Sequence, residues 1–241
     1  MAAAGHAVAV LVMAFVVFGA WAGLARIEPD PEIRARTGGL AGIAGVALTA
    51  AALGLFLRPQ SGPMPWVPAV FTAQLAVAAW IDRQTTWVPD PVGIGLCLVA
   101  ALASAAEPGA SIHRLLAHWG LAQPPLAFGL AWGVAILGWL AGLALWRMQV
   151  ALGGGWITPP DLVAFLLPLA VFGASGAAAL AYALTGLLAL GTLRLAPLRR
   201  VLVHPAAAAE GARDLGLDGG VPVPALMLVL PSLAAVYLLG G

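Results

Sequence analysis

The chain has 241 residues, 62% of them hydrophobic and 9% charged, with 11 Arg, no Lys and 10 acidic residues for a net charge of +1. An average soluble domain is about a quarter charged, a nucleic-acid binder carries a basic stripe and a disordered chain is polar; none fits. The lone Cys97 excludes a disulfide framework and a CxxC zinc site, and a mean hydropathy of +0.99 leaves an integral membrane protein.

A transmembrane helix needs about 20 apolar residues, and charges mark where such runs stop. The first expected span is 6–25, closed by Arg26. The second is 38–57, between Arg36 and Arg58. The third, 65–82, ends on Asp82, and the fourth, 90–106, ends before Glu107. The fifth is 125–146, ended by Arg147. No charge appears from Leu162 to Leu193. A single helix over that block would rise about 48 Å against roughly 30 Å of hydrocarbon. The run Gly173-Ala174-Ser175-Gly176 is a good place to turn, which splits the block into 161–173 and 177–195. The last span is 222–240. The fold expected is therefore all-α: a single polytopic membrane domain of about eight transmembrane helices.

Arginine placement tests the split. With alternating sides, the odd loops hold Arg26, Arg34, Arg36, Arg83, Arg147, Arg194, Arg199, Arg200 and Arg213, and the even loops hold Arg58 and Arg114. That asymmetry is a positive-inside bias. It puts the odd loops in the cytoplasm and both chain ends outside. Residues 1–5 carry no positive charge, so the first span reads as a retained helix rather than a signal peptide. The polar stretch 194–221 reads as a solvated loop with some helix.

With so few acids, each needs a reason. Glu28, Asp30, Glu32, Glu107, Glu210, Asp214 and Asp218 read as loop or helix-end charge. Asp90 before Pro91 is a good N-cap and first-turn pair for the fourth span. Asp82 and Asp161 remain, on different helices but both at the cytoplasmic edge of the hydrocarbon. A carboxylate there is costly and points to function. The plainer alternatives are an N-cap at Asp161 and an Asp82 snorkelling with Arg83. Two aspartates brought together share a proton, so one is a general base for water and the other a general acid for a leaving amine. The same pair also suits a proton or cation carrier.

The segment Ile81-Asp82-Arg83-Gln84-Thr85-Thr86-Trp87-Val88-Pro89-Asp90 resembles the first active-site motif of the type IV prepilin peptidase family, bacterial intramembrane aspartyl proteases. In that family an Asp ends a helix, and Pro-Asp or Pro-Asn opens the next helix seven and eight residues on. The second family motif, Gly-x-Gly-Asp with a Lys two residues later, is matched by Asp161 and by the apolar run 164–172 closing at Gly173. Thr158 and Pro160 stand where the family has glycines, and Val163 stands for the Lys. Pro fixes φ where Gly leaves it open. Gly153-Gly154-Gly155 echoes the family's Gly-rich loop. Val221-Pro222-Val223-Pro224-Ala225-Leu226 is similar to the proline-led start of its last helix. The four-Cys zinc loop of the long form is missing, and the N-methylation associated with that form is not carried over.

The resemblance implies catalytic Asp82 and Asp161, no metal or organic cofactor, and a prepilin or pseudopilin leader as substrate, cut at the cytoplasmic face of the bacterial inner membrane. Partners are that substrate and the lipid bilayer, with no nucleic acid. Two other readings stay open: a non-catalytic homologue in pilus or secretion assembly, and a small proton- or cation-coupled transporter. His6, His113, His118 and His204 fall on different loops or sides and do not read as a metal site. Residues 108–121 suit an interfacial helix. Gly39-Leu40-Ala41-Gly42-Ile43-Ala44-Gly45 suits close helix contacts.

Overall fold

The computed structural model describes residues 2–25, 39–56, 66–86, 88, 92–96, 116–121, 123–152, 176–207, 209 and 223–240. Among these residues the regular structure is helical, without a strand. In chain order the helices are α1 (Ala2–Ala25), α2 (Gly39–Phe56), α3 (Trp66–Thr85), α4 (Pro124–Ala151), α5 (Gly176–Arg194), α6 (Ala196–Leu202) and α7 (Ala225–Gly240). The expected span 161–173 lies outside the described residues, and so does most of 90–106, of which 92–96 are helical.

The core forms around α3. Ala73, Leu75, Ala76, Val77, Ala78, Ala79 and Ile81 are all fully buried, so the helix is covered on every side over two turns. It packs against α1, α2 and α7, α1 packs on α2, and α7 also packs on α5. Small residues make this closeness possible. A Cβ placed on Gly45 of α2 would come within 2.7 Å of Phe18 Cζ on α1 and of Trp80 Cδ1 on α3. Three helices thus meet where one side chain is missing. The nearby Thr49 hydroxyl donates to the Gly45 carbonyl at 2.8 Å, which satisfies a buried hydroxyl without a second helix.

Three of the described helices present broad apolar faces outward; on α1, Val8, Val12, Phe15 and Val16 are exposed. On α5, Leu187 and Leu190 are 64% and 60% exposed, while Ala178, Ala181 and Thr192 are buried. By length and composition this helix, Gly176–Arg194, is able to cross a membrane. Ala7–Ala20, Gly42–Leu55 and Ala225–Leu239 are shorter apolar helices. On α4, Ile136, Leu137 and Leu140 are exposed. It begins with Pro124 and Pro125 in its first turn, where a missing N–H costs nothing.

Several helix ends differ from expectation: α1 begins at Ala2 rather than 6, and α7 at Ala225 rather than 222. The third span was to end on Asp82, but α3 continues to Thr85. Charge alone does not stop a helix, and Arg83 and Gln84 have good helical propensity. The stop comes at Thr86, whose φ of 54° is left-handed and whose N–H returns to the Asp82 carbonyl at 2.6 Å. This is the single-bond αL cap, usually made by glycine. Likewise α4 passes Arg147 by more than a turn to Ala151. Where interfacial structure was expected over 108–121, residues 116–118 are helical. They end at Gly120 (φ 69°) with Leu121 N–H bonded to Leu116 O at 2.8 Å, a Schellman arrangement that exposes Trp119.

Candidate functional site

The site is built at the end of α3. Asp82 is only 6% exposed. It sits on the turn after fully buried Ile81, so its carboxylate is carried to the edge of the apolar core. There it meets the start of α7. That helix begins after Val221-Pro222-Val223-Pro224, and its N-cap position is Pro224, which has no side-chain acceptor. The first N–H groups of a helix lack internal partners, and a cap side chain normally takes the second or third. Here Asp82 Oδ2 accepts the Leu226 N–H at 3.0 Å, from 144 positions away. The positive end of the α7 dipole adds to this bond.

Arg83, the next residue, turns to another element. Its Nε donates to the Val201 carbonyl at 2.6 Å, and its guanidinium lies 5.1 Å from the centre of the Trp80 ring. Its backbone carbonyl accepts the His204 N–H at 3.0 Å. Val201 is in the last turn of α6, where carbonyls lack helical partners and a cation is favourable. The Arg83 side chain is partly buried and so loses some of its hydration. The ring face and the carbonyl compensate for that lost hydration. The plainer expectation paired Asp82 with Arg83; the contacts seen for the Arg83 side chain are with the Val201 carbonyl and the Trp80 ring.

The segment Arg83 holds is α6 and the residues after it. Leu202 and Val203 are buried against Leu228 of α7, with Leu198, Val223 and Met227 around them. Gly191 of α5 leaves room for Leu198, since a Cβ there would stand 2.7 Å from Leu198 Cδ2. Residues 194–221 were expected to be loop with some helix; α6 is that helix. It is joined to the end of α3 through Arg83.

Asp161, the expected partner of Asp82, lies outside the described residues, as do Asp90, Thr158, Pro160, Val163 and Gly153 to Gly155. Three groups at the site escaped the sequence reading: the Leu226 N–H, the Val201 carbonyl and the His204 N–H. A signal existed for the first. A helix that starts Pro-Val-Pro-Ala-Leu has no cap of its own and needs an acceptor from elsewhere.

Deeper along α3, Gln74 is fully buried, and neither its Oε1 nor its Nε2 makes a hydrogen bond. Among the described residues no group of three or more His, Cys, Asp or Glu stands close enough to hold a metal ion. Compared with known proteins, the chain matches no family model, no curated protein and no solved structure.

Proposed function

We propose that this chain is a polytopic membrane protein of the prepilin-peptidase type, an aspartic endopeptidase with Asp82 and Asp161 as its dyad. Its substrate is the leader of a pilin-like precursor, cut at the cytoplasmic face of a bacterial inner membrane. The observation that carries the reading is Asp82: a buried carboxylate at the rim of an apolar helical bundle, in a segment that resembles the family's first motif. The exposed apolar faces of α4 and α5 fit acyl chains, in support of a membrane setting; the eight-span arrangement with both ends outside rests on the hydrophobic runs and arginine placement of the sequence.

In this mechanism one carboxylate takes a proton from water as its oxygen attacks the scissile carbonyl carbon. The other carboxylic acid gives its proton to the amine nitrogen as the C–N bond breaks. The water ends up divided between the new acid and the new amine, and the dyad is left holding one proton. No metal or organic cofactor takes part.

A second reading has its own support. The bond from Leu226 N–H to Asp82 is a complete reason for an aspartate at this position, and Thr158 and Pro160 depart from the second motif. Both favour a catalytically silent homologue acting in pilus or secretion assembly. A transporter is less well supported, since its ionisable groups belong near the bilayer midplane and Asp82 lies on the last turn of α3.

The test is a cleavage assay in membranes with candidate pilin-like precursors, wild type against Asp82→Asn and Asp161→Asn. Cleavage by wild type and by neither variant supports the protease. Equal cleavage by either variant removes that residue from the dyad. No cleavage of any precursor by wild type favours the silent homologue.

A further inference from the structure

Helix α5 ends in charge. Its 19 residues, Gly176–Arg194, rise about 28 Å, close to the roughly 30 Å of a hydrocarbon core. By length and composition it is able to cross a membrane. Leu187, Leu190 and Leu193 are exposed along it, so its open apolar surface runs up to the residue before Arg194. A span that ends this way puts its last residue at the level of the lipid headgroups.

The chain then turns at once. Leu195 is extended (φ −110°, ψ 106°), and α6 follows from Ala196 to Leu202. One side of α6 is held by protein. Leu198 lies in the space left by Gly191, where a Cβ would stand 2.7 Å from Leu198 Cδ2. Leu202 and Val203 form a buried cluster with Leu228, and Leu188 and Ala189 of α5 pack against it. Gly191 is one helical turn before Arg194, so α6 is fixed beside the last turn of α5. The other side is open: Ala196, Pro197, Arg200 and Val201 are exposed.

Residues 194–204 carry Arg194, Arg199 and Arg200 and no acid. Arg194 and Arg200 are exposed and Arg199 is half-buried. Among the described residues no ion pair or side-chain hydrogen bond engages any of the three. Uncommitted guanidinium groups match the planar, bidentate needs of a phosphate. The leucines beside them match an acyl chain. We propose that the end of α5 and α6 together bind an anionic phospholipid, with Arg194, Arg199 and Arg200 on its headgroup and Leu187, Leu190 and Leu193 along its tails. The inference rests on the membrane setting of the proposed function and not on proteolysis. It goes beyond orientation, which needs only charge on one side: packing on α5 and α7 holds α6, and with it Arg199 and Arg200, at a fixed level. An acidic protein would meet these arginines from water, but the exposed leucines are continuous with the span, which favours lipid.

The experiment uses the full chain in phosphatidylcholine vesicles carrying a trace of phosphatidylglycerol, or of phosphatidylcholine, with a photoreactive acyl chain. After illumination, mass spectrometry counts lipid adducts on residues 187–203. In wild type the yield with phosphatidylglycerol should exceed that with phosphatidylcholine roughly tenfold or more, and added salt should shrink the ratio. Arg194→Gln with Arg200→Gln, both at exposed positions, should lower the ratio roughly fivefold or more, and Arg199→Gln added to them should bring it near unity. Arg147→Gln, at an exposed position on α4, should leave it unchanged. A wild-type ratio near unity overturns the site, and the arginines then serve solvent or an acidic protein. A ratio that the arginine variants of α5 and α6 leave intact, or that Arg147→Gln lowers equally, also overturns it, because the preference is then one of net charge. A wild-type ratio indifferent to salt overturns it whether or not the variants fold. A chain that never enters vesicles fails the membrane reading and the site together, whereas a chain that enters without lipid preference fails the site alone.

Discussion

Asp82 Oδ2 accepts the Leu226 N–H at 3.0 Å, and in doing so it serves as the N-cap that Pro224 cannot be. One carboxylate thereby joins the end of the third helix to the start of the last. Loss of a cap costs about 1 kcal/mol, up to about 2 in proteins. Asp82→Ala should lower stability by that amount, whereas Asp82→Asn keeps an acceptor and should lose less. Thermal unfolding in detergent measures both. An Asp82→Ala variant as stable as wild type would remove the capping role.

The same bond can be cut from its other side. Leu226→Pro deletes the N–H within the first turn of α7, where proline is tolerated. Leu226→Ala is its control for the lost side chain. In a double-mutant cycle, Asp82→Ala should cost clearly less in the Leu226→Pro background than in Leu226→Ala, by a coupling of about 0.5–1 kcal/mol or more. Additive losses would show that the bond carries no energy.

Thr86 holds a backbone conformation that a β-branched residue avoids, at φ 54°. Such strain costs of order 1–3 kcal/mol, and glycine would give back about 0.5–1 through its freer unfolded chain. Thr86→Gly is expected to raise the thermal midpoint. If cleavage activity falls at the same time, the strained turn beside Asp82 belongs to the working site.

Gln74 is fully buried with both polar atoms unpartnered. Replacing such a group with an apolar one of similar length is neutral or stabilising. Gln74→Met should raise stability by about 1 kcal/mol. A clear loss instead would mean that the amide has a partner in the membrane, such as a bound water.

Gly45 marks the crossing of α1, α2 and α3. A methyl there collides with Phe18 and Trp80, both aromatic and both wedged between helices. Gly45→Ala is expected to cost about 1–3 kcal/mol through overpacking. Trp80 also carries the Arg83 guanidinium, and thermal unfolding in detergent measures the loss.

Hydrophobic runs broken by charge were enough to place α2 at Gly39–Phe56 against an expected 38–57, and with the Gly173-Ala174-Ser175-Gly176 turn they placed α5 at Gly176–Arg194 against 177–195. A charged residue is costly in an apolar run, so composition reports these ends well. It reports poorly where an end is set by geometry, as at Thr86, or where a helix continues through tolerated charge, as α4 does past Arg147. The importance of Asp82 was legible because carboxylates are scarce. Its bond to Leu226 was not, because a pair 144 residues apart leaves no local pattern. The hidden helix α6 did leave one: Pro197 in its first turn and Arg199 and Arg200 in its last.

Pro231 lies inside α7, five residues beyond Leu226. It has no N–H to return to the Met227 carbonyl, so the ladder of α7 is missing a rung between its first turns and the rest. The Asp82-bound end of the helix is thus joined to the rest by one hydrogen bond fewer. Backbone amides of residues 226–230 should exchange with solvent in a different cooperative unit from those of 234–238.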